Sequence, residues 1–146
     1  RAASSPKAGS SAAAAPPAAW AGRRAGARIE QNVYVGPQCH LGLVHLERDV
    51  LVAAGVHIPS GPATHGIEDT SRPIREQERP RQLIRIGAGA WIGSAAVVMA
   101  DVGRNTVVGA GAVVTRPTPD EVVVGGVPAR VLRRRDRATL AVAAGA

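Results

Sequence analysis

One histidine of this chain lies among acidic residues in a segment that shows no regular repeat. The segment from Thr64 to Asp69 reads Thr-His-Gly-Ile-Glu-Asp. An imidazole titrates near neutral pH, so His65 can act as a general base that takes a proton from a hydroxyl or an amine. Glu68 or Asp69 can orient the ring and stabilise its protonated form. The bare pattern equally fits an incidental surface histidine beside two solvated carboxylates.

Other nucleophiles have less support in the sequence. Cys39 is the single cysteine, which excludes an intrachain disulfide and fits a reducing compartment. A Gly-x-Ser-x-Gly motif, which would present an activated serine, does not occur in the chain. Neither observation points to a covalent nucleophile.

Arginine supplies most of the positive charge, because Lys7 is the single lysine in a chain of net charge +7. The arginines cluster at residues 72–85 and 130–137. Such clusters bind nucleic acids, membrane surfaces or phosphorylated small molecules. Aromatic residues do not interleave with them, and no apolar run is long enough to span a bilayer. A phosphorylated small molecule and a solvated basic surface therefore both stay open, and we expect no nucleic-acid partner and no membrane span.

The elements that must position these residues repeat with a period of six. An aliphatic residue opens each six, and a small residue follows four positions later; the openers are Ile29, Val35, Leu41, Leu46, Val52, Ile58, Ile86, Ile92, Val98, Val102, Val108 and Val114. This period fits neither an α-helix nor a lone strand, but it is typical of a β-helix whose sixes each form one face of a coil. An aromatic content of 2% suits the narrow interior of such a coil.

The repeat also divides the chain. We expect an Ala/Pro-rich disordered leader at residues 1–27 and a parallel β-helix of about four turns at residues 28–126, interrupted by a long loop at residues 60–83. Residues 127–146 read as a capping segment, with a short C-terminal helix over Arg130 to Ala144. The repeat loses one residue near residues 42–45 and two between Val98 and Val102.

Three stretches together resemble the hexapeptide-repeat acyltransferases, which fold as left-handed β-helices. They are the coil IGAGAWIGSAAVV from Ile86 with VVGAGAVVTRPTPD from Val107, the loop that begins HGIED at His65, and the ending VGGVPARV from Val124. The galactoside, maltose and colanic-acid O-acetyltransferases are the most similar members. The resemblance covers about residues 29–135.

The resemblance implies an activity. It implies transfer of an acetyl or other short acyl group from acetyl-CoA to a hydroxyl of a sugar or polysaccharide precursor, with His65 as the general base. It further implies a homotrimer with its active site between neighbours, a cytoplasmic location, and no metal.

The resemblance also implies which residues bind acetyl-CoA. Ser94 and Ala110 match positions that contact the pantetheine arm, and Thr115 and Arg116 match the pair at the exit from the coil. Two more arginines, Arg130 and Arg133, match positions that meet the nucleotide phosphates, where a guanidinium makes charge-assisted hydrogen bonds.

Two other readings of the same fold stay open. Gamma-type carbonic anhydrases hold zinc between subunits with histidines five residues apart, and His40 and His45 have that spacing. The second reading is a degenerate or truncated β-helix scaffold without activity. It stays open because an Ala/Pro tract occupies the N-terminal region that helps to shape the acceptor pocket in relatives.

Overall fold

The computed structural model describes residues 26–136, whose regular secondary structure is almost entirely short β-strands. The strands are β1 Ala27–Ile29, β2 Tyr34–Val35, β3 His40–Leu41, β4 Val44–Leu46, β5 Leu51–Val52, β6 His57–Ile58, β7 Ile84–Ile86, β8 Trp91–Ile92, β9 Val97–Val98, β10 Val107–Val108, β11 Val113–Val114, β12 Val122–Gly125 and β13 Arg130–Arg134. A single turn of 3₁₀ helix occupies Ile74–Glu76. Residues 1–25, which hold nearly all of the leader that we expected to be disordered, lie outside the described residues.

Successive strands pass in turn to three sheets, here named A, B and C. Sheet A has the order β1-β4-β7, sheet B the order β13-β12-β10-β8-β5-β2, and sheet C the order β11-β9-β6-β3. Every pairing is parallel except that of β12 with β13. Coil 1 spans residues 27–41, coil 2 residues 44–58, coil 3 residues 84–98 and coil 4 residues 102–114. The structure confirms the left-handed parallel β-helix of about four turns.

The aliphatic residues that open the sixes from Leu46 to Val114 fill the interior. Leu46 pairs with Ile86 across sheet A, and Val52 pairs with Ile92 across sheet B. All four side chains are fully buried, as are the small residues four positions after an opener, among them Val50, Val56, Ala90, Ala96 and Ala112. Aliphatic residues of one coil therefore stack on aliphatic residues of the next, which keeps the core continuous without large aromatic rings.

Glycine performs two different tasks in the repeat. Three residues after most openers the backbone has a positive φ, as at Gly55, Gly89 and Gly111, a conformation that glycine adopts without strain. The glycine directly after an opener is required for a different, steric reason. A Cβ on Gly93 would lie 2.6 Å from the backbone nitrogen of Ala110 in the next coil. Close coil stacking requires this second glycine.

Carboxylates fasten the corner between sheets A and B, here called the A–B corner. The Glu47 side chain accepts hydrogen bonds from the Ala88 N–H at 3.0 Å and from Arg85 at 3.1 Å. Glu30 accepts from the Arg48 N–H at 3.0 Å, and Asp120 from the Arg104 N–H at 2.7 Å. Each of these bonds ties one coil to the next, because its donor and acceptor lie on neighbouring coils.

Every irregularity of the repeat falls at a different corner, the C–A corner, where the chain leaves sheet C for sheet A. The shortened steps are Leu41 to Leu46 and Val98 to Val102, and the long loop lies between Ile58 and Ile86. Val102 still forms a parallel bridge with Ile86. The missing residues near Val98 therefore tighten the corner without moving any strand out of register.

The expected C-terminal helix is wrong where the structure describes it. Arg130–Arg134 is β13, which turns back to pair antiparallel with β12, so that Val131 lies opposite Val124 and Arg134 opposite Val122. The physical reason is the open edge of sheet B: β12 is its last parallel strand, and β13 satisfies backbone groups that a helix would leave unpaired. The rest of the predicted helix, residues 137–144, lies outside the described residues.

Candidate active site

The long loop folds back on itself and presents His65. His65 and Glu78 form an antiparallel bridge. The Arg79 N–H donates to the Thr64 carbonyl at 3.1 Å, and at the base the Gln82 N–H donates to the Ser60 carbonyl at 2.8 Å. We call residues 60–83 the arm. Its backbone pairing fixes where His65 stands, which the sequence pattern did not reveal.

An open cavity of about 600 Å³ lies between the arm and the first two coils. The arm contributes Ser60, Thr64, His65 and the charged residues Glu78, Arg79 and Arg81, and the first two coils with their connections contribute residues 40–43 and Pro59. An imidazole, hydroxyl groups and charges of both signs thus surround one space. This composition suits a polar acceptor such as a sugar.

Glu68 and Asp69 have other partners than the histidine. Glu68 pairs with Arg79 at 2.5 Å, and Asp69 accepts hydrogen bonds from the hydroxyl and the N–H of Ser71 at 2.6 and 3.0 Å. Backbone N–H groups of Glu68 itself and of Ile67, and then Arg79, hold the pKa of Glu68 below its usual value. The Ser71 hydroxyl lowers the pKa of Asp69 in the same way. Both carboxylates brace the arm, and neither hydrogen-bonds to His65 within residues 26–136.

The sequence pattern missed the neighbours of His65. His40 also lines the cavity, and its ring stacks on that of His57 in the next coil, with centroids 5.8 Å apart. The repeat does carry a signal for this pair. Both residues directly precede an interior opener, Leu41 or Ile58, so both must point outwards from sheet C.

Ser94 and Ala110, which the resemblance assigns to the pantetheine chain of CoA, lie together at the corner between sheets B and C, here called the B–C corner. Ser94 belongs to coil 3 and Ala110 to coil 4, and the Gly111 N–H donates to the Ser94 carbonyl at 2.8 Å. Both residues are exposed. Because no Cβ intervenes at Gly93, the backbone of Ala110 approaches the coil below it closely. The corner is a narrow ledge of backbone and small side chains, which suits an extended ligand.

The four other assigned residues lie at the C-terminal end of the solenoid. Thr115 and Arg116 follow β11 and are exposed. Arg130 and Arg133 are exposed on β13, and their guanidinium groups contact only neighbouring carbonyl oxygens within residues 26–136. None of the six residues assigned to acetyl-CoA lines the His65 cavity. One chain therefore keeps its candidate base and its candidate CoA ledge at different corners.

Within one chain, His40 and His45, the two histidines that a zinc site would use, lie on different sheets. His40 projects from sheet C, whereas His45 is buried on sheet A with its Nε2 atom 2.8 Å from Glu30 Oε1. In the part of the chain that the structure describes, no group of three or more His, Cys, Asp or Glu side chains is placed to hold a metal ion.

Between residues 26 and 136, no helix is long and apolar enough to cross a bilayer.

The family model described as hexapeptide repeat of succinyl-transferase matches residues 26–59 and 83–116, and the gap between the two matches is the arm. The galactoside O-acetyltransferase of Lactococcus lactis is 30% identical over 112 residues, which cover 71% of this chain and 54% of that protein. The chain thus spans about half the length of this relative.

Solved structures agree in fold. A galactoside acetyltransferase in complex with coenzyme A is 26% identical with a TM-score of 0.58, over 78% of this chain and 62% of that one. An N-acyltransferase from Bacillus cereus, in complex with dTDP-4-amino-4,6-dideoxyglucose and coenzyme A, has a TM-score of 0.61 at 15% identity, over 82% and 69% of the two chains. The repeat, the three sheets and the matching family model show a hexapeptide-repeat chain with a left-handed β-helix fold, and over that fold the chain is similar to O-acetyltransferases.

Proposed function

We propose that this chain carries the catalytic β-helix of an acetyl-CoA-dependent O-acetyltransferase whose acceptor is a hydroxyl of a sugar or polysaccharide precursor. The observation that carries the proposal is His65, which a paired arm presents at a polar cavity of about 600 Å³. Galactoside acetyltransferases among the relatives support the acceptor class.

The chemistry needs one base and no covalent enzyme intermediate. The acceptor oxygen attacks the thioester carbonyl carbon while its proton passes to His65. The tetrahedral intermediate then collapses, the carbon–sulfur bond breaks, and the leaving sulfur takes the proton from the imidazolium. A backbone N–H group held on a rigid coil can stabilise the oxyanion. Glu78 and Arg79 hold His65 through the backbone of the arm, so Glu68 and Asp69 act as braces of the arm in this mechanism.

Acetyl-CoA binding is assigned to the other end of the solenoid. Ser94 and Ala110 form a ledge for the pantetheine chain of CoA. Thr115 and Arg116 lie at the end of this ledge. Within residues 26–136, Arg130 and Arg133 are exposed and form no ion pair, which suits the phosphates of the nucleotide.

The separation of these two groups supports a homotrimer in which neighbouring copies share each active site. His65 lies at the C–A corner and the CoA ledge at the B–C corner, so a second copy supplies the missing half. A cytoplasmic location, where acetyl-CoA is made and Cys39 stays reduced, remains part of the proposal.

The experiment is thiol release from acetyl-CoA against a panel of sugars, with native protein, His65→Ala and the control His57→Ala. Loss of a general base lowers turnover by about 10²–10⁴-fold. We expect that loss for His65→Ala alone, because His57 does not line the cavity. Turnover that survives His65→Ala would show that His65 is not the general base. Bound CoA without turnover on any sugar would favour the inactive scaffold.

A further inference from the structure

One cation at the cavity between the arm and the coils has no protein partner among the described residues. Arg79 and Arg81 both line this cavity together with His65. Arg79 already forms an ion pair with Glu68 at 2.5 Å. The Arg81 side chain is exposed, and between residues 26 and 136 its guanidinium group forms no hydrogen bond and no ion pair. A guanidinium group stays charged at any physiological pH, so Arg81 brings a permanent positive charge to the cavity.

Two arginines of the coils show how such a charge is neutralised elsewhere in this chain. Arg28 pairs with Glu30 at 3.8 Å, and Arg85 pairs with Glu47 at 3.1 Å. Arg81 differs from both, because it faces a space that is open to a small molecule. A guanidinium group presents its N–H donors in a planar fork that matches the two oxygens of a carboxylate or a phosphate. An anion of either kind is therefore the ligand that Arg81 suits.

The negative charge of the cavity lies beside the histidine. Glu78 is the one carboxylate among the described residues that line the cavity. It bridges to His65, and side chains that stand opposite each other in an antiparallel bridge share a face, with Cβ atoms about 4.5–5.5 Å apart. Its charge is thus close to the imidazole, where positive charge develops when His65 takes a proton. The coil side, at residues 40–43 and Pro59, has no acidic residue. The charge of Arg81 is therefore the one without a counterpart.

The backbone around Arg81 is fixed where the arm joins the coils. Pro80 precedes Arg81, and its ring restricts the chain to a narrow range of φ. The Gln82 N–H donates to the Ser60 carbonyl at 2.8 Å, and Gly61 packs so closely on Gln82 that a Cβ there would lie 2.7 Å from Gln82 Cβ. A charged group on a fixed backbone loses less freedom when it binds a ligand, so the same contact contributes more affinity.

We propose that the acceptor is an anionic sugar, whose carboxylate or phosphate group binds Arg81 while one of its hydroxyl groups faces His65. The inference rests on the proposed function, because it narrows the acceptor class of the same cavity. A neutral sugar displaces water from Arg81 and offers its charge no partner, which lowers affinity. The anionic group anchors the sugar and takes no part in acetyl transfer, so Arg81 is a specificity-determining residue.

Calorimetry on the full chain tests this preference without need of turnover. The probes are galactose, galacturonate, galactose 1-phosphate and galactose 6-phosphate. We expect at least one charged sugar to bind about 10–100-fold more tightly than galactose, the gain expected of hydrogen bonds to a charged group. The sugar with the largest gain distinguishes a carboxylate from a phosphate. Galactose that binds as tightly as every charged sugar, or no binding of any of the four, would overturn the inference.

Two variants of the arm assign the preference to one residue. Arg81→Gln should bind charged and neutral sugars alike, whereas the preference should persist in the matched control Arg75→Gln. Arg75 is also an exposed arginine of the arm without an ion pair in residues 26–136, but it does not line the cavity. A preference that survives Arg81→Gln would contradict the assignment. Circular dichroism checks the fold of both variants.

The native protein supplies a further check that needs no substitution. Salt screens an exposed ion pair, so the preference for the charged sugar should fall as the ionic strength rises, and a constant preference would contradict an ion pair. Thiol release from acetyl-CoA with the same four sugars separates this inference from the proposed function. Equal turnover of neutral and charged sugars would count against the anionic acceptor alone. A charged sugar that binds through Arg81 without turnover would count against acetyl transfer alone.

Discussion

The A–B and C–A corners of the same coils are built in opposite ways. At the A–B corner, six residues separate every pair of openers, and the side chains of Glu30, Glu47 and Asp120 take up backbone N–H groups of the neighbouring coil. At the C–A corner, the connection shortens twice and then expands into the arm. The difference teaches that this β-helix tolerates change at one corner because the other corners hold its register.

The strongest test of that contrast removes the arm. Replacing residues 59–83 by the two-residue connection found at Gly42 and Leu43 should leave the coils folded, because β6 and β7 keep all their coil-to-coil pairings. Turnover should fall by at least the 10²–10⁴-fold that loss of a general base causes. Far-UV circular dichroism and thiol release measure the two effects. Collapse of the fold would show that the arm stabilises the coils.

Glycine substitution compares the coil with the arm. Gly93→Ala places a Cβ 2.6 Å from a backbone nitrogen of the next coil, whereas in Gly66→Ala the new Cβ lies 3.2 Å from Gln77 Cβ, a contact that a shift of a few tenths of an ångström relieves. Overpacking a rigid core costs about 1–3 kcal/mol or more, so we expect a loss at the upper end for Gly93→Ala and under about 1 kcal/mol for Gly66→Ala. Urea denaturation checks the difference, and equal losses would contradict it.

A pair of carboxylates sharpens the comparison further. Glu47 and Glu68 each pair with an arginine, but Glu47 is half-buried and also accepts the Ala88 N–H, while Glu68 is exposed. Glu47→Ala leaves a backbone donor without its partner, which costs about 1–3 kcal/mol. Glu68→Ala removes an exposed pair and should cost under about 1 kcal/mol. Thermal unfolding of both variants measures the gap.

Acid sensitivity is the smallest expected effect. The hydrogen bond from His45, and then the Arg48 N–H, hold the pKa of Glu30 below its usual 4.5. A carboxyl whose pKa is lowered by folding stabilises the folded state above its unfolded pKa, and the stabilisation is lost as the pH falls through the folded pKa. Stability should therefore decline below pH 4.5, and less steeply in Glu30→Gln. Unfolding followed from pH 7 to pH 3 tests this; identical profiles would assign the acid sensitivity to other groups.

The sequence predicted the regular part of the molecule well, because its period of six is the period of the fold. Each opener from Leu46 to Val114 is buried, and the loop boundaries lie close to β6 and β7. It also selected His65 from four histidines through the resemblance, and that assignment of the base stays a prediction.

The remaining features depend on contacts between distant residues. The bridge between His65 and Glu78 follows from pairing within the arm, and the bracing roles of Glu68 and Asp69 follow from its local turns. The arginine-rich segment at residues 130–135 favours a helix by propensity. It forms a strand instead, because it pairs with the free edge of β12. Tertiary pairing overrides local preference in both places.

The antiparallel β13 has a consequence for how these molecules meet one another. A parallel solenoid that ended at β12 would offer a flat row of backbone donors and acceptors, and a second molecule could extend it into a fibre. Here the last strand carries Arg130, Arg133 and Arg134, all exposed. An antiparallel strand that bears several arginines is a poor template for further pairing, so within the described residues this end of the solenoid resists extension by another strand.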